Sequence, residues 1–315
     1  MDIEITKGFN IMNIANTTAC ATAVSTASGS AVRHSLQALC ALLLFALWGS
    51  CLAQAEIKTD NNPEASAIWL KVRASLFQSR PIDTATDDVI SLEAPARAED
   101  SAIVPIAIKT GFMQTSSRYI DKLYLIIDNN PSPIAAVFTF HPLSGRADIE
   151  TRVRINEYTH VRAIAETNDG KLHMSTRFVK AAGGCSAPPG KDAQASLSSL
   201  GRMKFRIEDK LIDPNAAVPA TGHPVLARLM ISHPNDSGLV MDQVSRMFKP
   251  AYFVRQVNIT YAGQPVMSAD VDFSISENPN FRFYFTPRGE GELKAEVVDS
   301  HDLRFESVLK YQRQD

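Results

Sequence analysis

Cys185 is the residue whose type and setting could do covalent chemistry. Gly183-Gly184 precede it and Ser186-Ala187-Pro188-Pro189-Gly190 follow. Glycine without a Cβ lets a backbone enter a narrow space, and prolines stiffen the return path. A thiol on such an arm is sterically open, as carriage of a small group requires. Nucleophilic sulfur is thiolate, so a neighbouring cation would help, and Lys180 and Lys191 are the candidates. The bland alternative is a surface cysteine in a loop.

Other chemistries find less support. A thiol enzyme would pair Cys185 with a histidine. His141, His160, His173, His223, His233 and His301 are scattered without a motif, and His141, His223 and His233 each precede a proline, as turn or strand-end residues do. Met230, His233, Met241 and Met247 have the ligand types for copper, but their spacing fixes no geometry and they read as core packing. Glu296 and Asp299 bracket Val297-Val298 as a strand leading into a turn, not as an acid/base pair. The chain has no CxxC, phosphate-binding loop or G-x-S-x-G. We therefore expect no catalytic residues, no metal and no cofactor.

The significance of Cys185 rests on the other cysteines, Cys20, Cys40 and Cys51. Residues 36–48 (LQALCALLLFALW) form an apolar run preceded by Arg33-His34 and followed by Ala53-Gln54-Ala55. It is shorter than the roughly 20 residues a membrane span needs. A cationic stretch, a short apolar run and an A-x-A site are the marks of a secretory signal peptide. Cleavage before Glu56 would remove 1–55 and leave Cys185 as the only thiol. A single cysteine in an exported chain points to a reactive thiol or intermolecular pairing. The expected location is the periplasm.

The 315 residues carry 32 Lys+Arg against 34 Asp+Glu, a net charge of −2 with no basic excess for nucleic acid. Forty-five percent hydrophobic content is ample for a packed core. Residues 101–181 show period two: Thr151-Arg152-Val153-Arg154-Ile155 and Val161-Arg162-Ala163-Ile164-Ala165 alternate as half-buried strands do. Leu123–Ile127 is β-rich and closed by the turn Asp128-Asn129-Asn130-Pro131, and Ala136–Phe140 supplies another strand. Ala67–Phe77 instead has helical spacing, with Trp69, Val72 and Leu76 on one face. Residues 193–205 read as helical or irregular. Strands return at about 225–232, 251–261, 265–275, 280–287, 292–298 and 303–310. The expected fold is mainly β: two immunoglobulin-like β-sandwich domains joined by a Gly/Pro-rich, cysteine-bearing linker. The expected boundaries are a leader at 1–55, a first domain at 62–182, the linker at 183–222 and a second domain at 223–312.

Asp128-Asn129-Asn130-Pro131-Ser132-Pro133, Thr151-Arg152-Val153-Arg154 and Val179-Lys180-Ala181-Ala182-Gly183-Gly184-Cys185 together resemble SoxY, the cargo-bearing subunit of the bacterial sulfur-oxidation carrier. Ser232-His233-Pro234-Asn235-Asp236-Ser237-Gly238, Pro250-Ala251-Tyr252-Phe253-Val254 and Ser274-Ile275-Ser276-Glu277-Asn278-Pro279 resemble its partner SoxZ. Over about 62–312 the chain resembles a SoxY–SoxZ fusion of the quinoprotein dehydrogenase-associated SoxYZ-like carrier family. The resemblance implies a periplasmic, non-enzymatic thiosulfate-type carrier. Its covalent site would be Cys185 and its arm Gly183 and Gly184. Its partners would be periplasmic oxidoreductases, among them a quinoprotein alcohol dehydrogenase that uses pyrroloquinoline quinone. The alternative is a structural or assembly factor for that dehydrogenase in which Cys185 carries nothing. One departure stands out: the family's Gly-Gly-Cys-Gly-Gly arm ends its chain, whereas here 130 residues follow Cys185. Such a thiol could enter a partner only as a hairpin.

Overall fold

The computed structural model describes residues 62–188, 198–208 and 223–312. The expected leader at 1–55, its cleavage site and Lys191 lie outside the described residues. Among the described residues one α-helix, α1 (Ala67–Phe77), precedes fifteen strands. The first half contributes β1 (Ile82–Thr84), β2 (Ile90–Glu93), β3 (Val104–Thr110), β4 (Ile120–Ile127), β5 (Ile134–Phe140), β6 (Ile149–Val153), β7 (Thr159–Thr167) and β8 (Leu172–Val179). The second contributes β9 (Met203–Ile207), β10 (Val225–Ile231), β11 (Val254–Tyr261), β12 (Gln264–Val271), β13 (Asn280–Phe285), β14 (Gly291–Asp299) and β15 (Arg304–Tyr311).

Two sheets result. A nine-stranded sheet runs β1-β8-β7-β4-β5-β12-β11-β14-β15, and a six-stranded sheet runs β2-β3-β6-β13-β10-β9. The mainly β, immunoglobulin-like architecture is as expected. What the sequence pattern does not disclose is that the halves share both sheets. β5 pairs with β12 from Met267↔Phe140 to Val271↔Ala136, and β6 pairs with β13 at Arg282↔Glu150 and Phe283↔Ile149. The inward residues of both halves form one hydrophobic core, in which Phe138 meets Phe281 edge to face with ring centroids 6.2 Å apart.

Alternation explains the strands. β3 is buried at Val104, Ile106, Ile108 and Thr110, and β13 at Phe281, Phe283 and Phe285. α1 is capped by the Ser66 side chain, which accepts from the Trp69 amide at 3.2 Å. Its Trp69 and Phe77 pack on Ile126, Ile164 and Leu172, with Val72 and Leu76 alongside. Beneath it Arg162, fully buried, donates to both carboxylate oxygens of Asp128 at 2.8 and 2.7 Å and lies 4.3 Å from the Trp69 ring centroid. Within 193–205 the helical reading fails at its end. Met203–Ile207 is an edge strand on β10, because its alternation puts Phe205 into the core. Met241 and Met247 are exposed and not core, since they stand on a projecting loop.

Candidate functional site

Cys185 is fully buried, which overturns the expectation of an open thiol arm. The chain leaves β8 and doubles back in a tight turn, in which the Ser186 amide donates to the Gly183 carbonyl at 3.3 Å. Two further bonds seat the turn: Gly183 N–H donates to Asn156 O at 2.8 Å, and Gly184 N–H to Ile155 O at 3.0 Å. The glycines are explained within this chain. Gly183 has φ +79°, a conformation other residues adopt only with strain. A Cβ at Gly184 would lie 2.0 Å from the Ser101 carbonyl oxygen and 2.7 Å from that of Ile155. The close approach that their small size permits is to Ser101 and Ile155.

The second half supplies the cover. Ser237 donates its hydroxyl to the Cys185 carbonyl oxygen. Asn235 is fully buried; its side chain donates to Ile275 O at 2.9 Å and accepts from Val254 N–H at 2.9 Å. Asp236 exchanges backbone hydrogen bonds with Tyr252 and pairs with Lys249 at 2.7 Å. From the first half, Arg154 follows the end of β6. Its Nη1 donates to Ile275 O at 2.8 Å and Phe273 O at 3.2 Å. Asn130 ties the floor together, donating to Arg154 O at 2.8 Å and to Ser274 Oγ at 3.0 Å while accepting from Asn156 N–H at 2.9 Å.

This setting governs the sulfur. Burial pushes the Cys185 thiol up to about 11, against the pull of the Arg154 guanidinium, and Asp272 pushes in the same direction as burial. Among the described residues Arg154, not Lys180, is the cation that bears on the thiol, and no histidine acts on it. The histidine partner of a thiol enzyme is not in place. Nor do three or more His, Cys, Asp or Glu gather as a metal site among the described residues.

Sequence reasoning missed two features. Arg154 escapes notice because strand alternation assigns it to solvent. His233, read as a turn residue, is fully buried: its Nδ1 accepts from the Asn235 amide at 3.0 Å, and its Nε2 faces Asp299 Oδ2 at 3.7 Å. Tyr252 packs edge-on to His233 and stacks on His301, 4.1 Å between centroids. Burial pulls His233 down to about 4, against the opposing pull of Asp299.

Fold and site together define a class: a double β-sandwich with shared sheets and one cysteine sealed at the seam between its halves. Residues 73–185 match the model of the sulfur oxidation protein SoxY, and residues 212–310 that of the sulphur oxidation protein SoxZ. The chain is a SoxY–SoxZ fusion, and Cys185 is the last residue of the SoxY match.

Among solved structures, the sulfur carrier protein SoxY from Chlorobium limicola f thiosulfatophilum is 25% identical, covering 36% of this chain and 91% of that one at a TM-score of 0.31. A superoxide reductase (neelaredoxin) from Ignicoccus hospitalis, the E23A form, is 14% identical over 38% of this chain and 90% of that one, with a TM-score of 0.28. A putative superoxide reductase from Thermotoga maritima is 18% identical over 31% and 92%, with a TM-score of 0.27. At such scores these likenesses carry no functional weight. None of the curated proteins matches the chain. Among the described residues no helix is long and apolar enough to cross a membrane.

Proposed function

We propose that this fusion is a carrier that holds a sulfur-containing adduct covalently on Cys185 and presents it to partner oxidoreductases. One observation carries the reading: the cysteine that ends the SoxY match is anchored at the seam by the SoxZ half, through the Ser237 hydrogen bond. A disulfide-type adduct forms on thiolate, so the turn must open to load, lifting the sulfur out of the surroundings that hold it protonated. Partners would find a grip beside the cover. The loop from Leu239 to Phe248 exposes Met241, Val244, Met247 and Phe248, with Val244 93% exposed, and it leaves the Ser237 segment directly. We further propose a periplasmic location, supported by the leader reading, and a quinoprotein alcohol dehydrogenase among the partners, supported by the family resemblance.

The burial of Cys185 favours one other reading, a structural or assembly factor in which the thiol only packs. Intact-mass analysis of protein from its native host, grown with and without reduced sulfur compounds, separates the two. A carrier shows a reductant-labile mass increase on Cys185 that is absent from Cys185→Ser. An unmodified thiol under every condition overturns the carrier reading and leaves the packing role.

A further inference from the structure

The segment that covers Cys185 is braced by one imidazole ring. His233 is anchored at its backbone: its amide donates to Asn278 Oδ1 at 3.2 Å, and its carbonyl accepts from the Asn278 amide at 2.8 Å. From that fixed point its Nδ1 accepts the Asn235 N–H at 3.0 Å. Asn235 has φ +47°, a left-handed conformation that a residue with a Cβ keeps only when its surroundings hold it. Two residues further on, Ser237 donates to the Cys185 carbonyl oxygen. The ring therefore supports the strained turn from which the cover reaches the cysteine.

An accepting Nδ1 fixes what acid can do here. The neutral ring carries its proton on Nε2, so a second proton can enter only at Nδ1, displacing the Asn235 N–H. That amide belongs to a fully buried residue and would lose its acceptor, while the new charge on His233 would be fully buried too. Nε2 faces Asp299 Oδ2 at 3.7 Å, beyond hydrogen-bond length, and neither atom has a hydrogen-bond partner among the described residues. Asp299 comes from the end of β14, and its other oxygen accepts from the His301 and Leu303 amides. Asp236, paired with Lys249, also faces the ring, as do Tyr252 edge-on and His301 beyond it. The two carboxylates favour a charged ring and His301 opposes it, but burial outweighs them.

We infer that His233 is the positioning residue of the cover over Cys185, and that its protonation releases the cover and exposes the thiol. The inference states when the sulfur becomes accessible, whatever it carries, so it stands or falls apart from the carrier reading. With the ring at about 4 when sealed and near 6.5 when released, the released form binds more protons in mild acid. The open fraction should therefore rise about 20-fold from pH 7.5 to pH 5.

The test labels the full chain with N-ethylmaleimide between pH 5 and pH 7.5 and reads Cys185 from its own peptide by mass spectrometry. Each rate is divided by that of glutathione at the same pH, which removes the pH dependence of the thiolate itself. The relative rate should rise about 20-fold toward pH 5 and stay nearly constant in urea up to about 1 M, as local opening does. His233→Asn places an amide oxygen where Nδ1 stands and cannot take the proton, so it should label slowly at every pH. His301→Gln should keep the acid rise. A flat wild-type profile overturns the inference, and a falling one shows that a charged His233 tightens the cover against Asp299 instead. A rise that persists in His233→Asn also overturns it, as does one that grows steeply with urea, the mark of global unfolding. Should His233→Asn fail to fold, imidazole 15N shifts of wild type at pH 7.5 decide: a proton on Nε2 supports the brace, and a proton on Nδ1 overturns it.

Discussion

The Ser237 hydroxyl and the Cys185 carbonyl oxygen are hydrogen-bonded across the seam between the two halves. The same hydroxyl accepts from the Leu239 amide at 3.2 Å, so one side chain fixes both the cysteine turn and the start of the exposed loop. A displacement that pulled Ser237 away would break both contacts at once.

The sealed thiol should react slowly. With its pKa raised by burial from 9.0 to about 11, Cys185 has a thiolate fraction at pH 8 roughly 100-fold below that of an unperturbed thiol. Iodoacetamide labelling of the native protein is expected to lag a free-cysteine peptide by about that factor and to quicken with rising pH. Equal rates at pH 8 would show that the turn stands open in solution.

Gly184 and Gly183 should differ in effect. A methyl at Gly184 meets the Ser101 carbonyl, so Gly184→Ala is expected to unseat the turn, lower stability by about 1–3 kcal/mol and accelerate labelling of Cys185. Gly183→Ala meets open space and has only its positive φ to accommodate, about 1 kcal/mol. Urea titrations with parallel labelling decide this, and the reverse order would refute the packing described.

His233 should make stability depend on acid. Its folded value of about 4 lies below its unfolded value near 6.5, so between those limits the unfolded chain binds more protons. The contribution is complete above pH 6.5 and is lost as pH falls toward 4, by about 3 kcal/mol at full extent. Asp299, Asp236, Tyr252 and His301 face the same ring, and the first two oppose the loss. Unfolding free energies of wild type and His233→Gln should converge as pH is lowered through this window. Parallel curves would remove His233 as the source.

Asp128 and Arg162 form a buried bidentate pair under α1. Asp128→Ala would leave the guanidinium fully buried with Trp69 above it and should cost about 3–5 kcal/mol. Denaturant unfolding measures this, and a loss under 1 kcal/mol would mean that Arg162 finds another partner.

The strands were legible because each buries one face, and a period of two in the residues records that directly. The six strands expected after residue 225 appear as β10 to β15 with ends shifted by a few residues. β9 was not legible because a five-residue edge strand buries a single residue, Phe205. The pairing of β5 with β12 was hidden for a different reason: period reports which face is covered, never which strand lies alongside. Cys185 announced itself through composition, whereas Arg154 did not. Alternation through 151–155 assigns Arg154 to solvent, but the strand ends at Val153, and the backbone turns there toward Ser274, whose carbonyl accepts from the Arg154 amide at 2.7 Å.

The joining of β5 to β12 and of β6 to β13 within one polypeptide also has a consequence for assembly. Two separate subunits making the same seam would come apart on dilution, and each would then expose a raw sheet edge. On a single chain the seam forms at an effective concentration set by the tether, independent of how much protein is present. The midpoint of melting should therefore not move with protein concentration. Every copy of the cysteine is born with its lid in fixed one-to-one proportion.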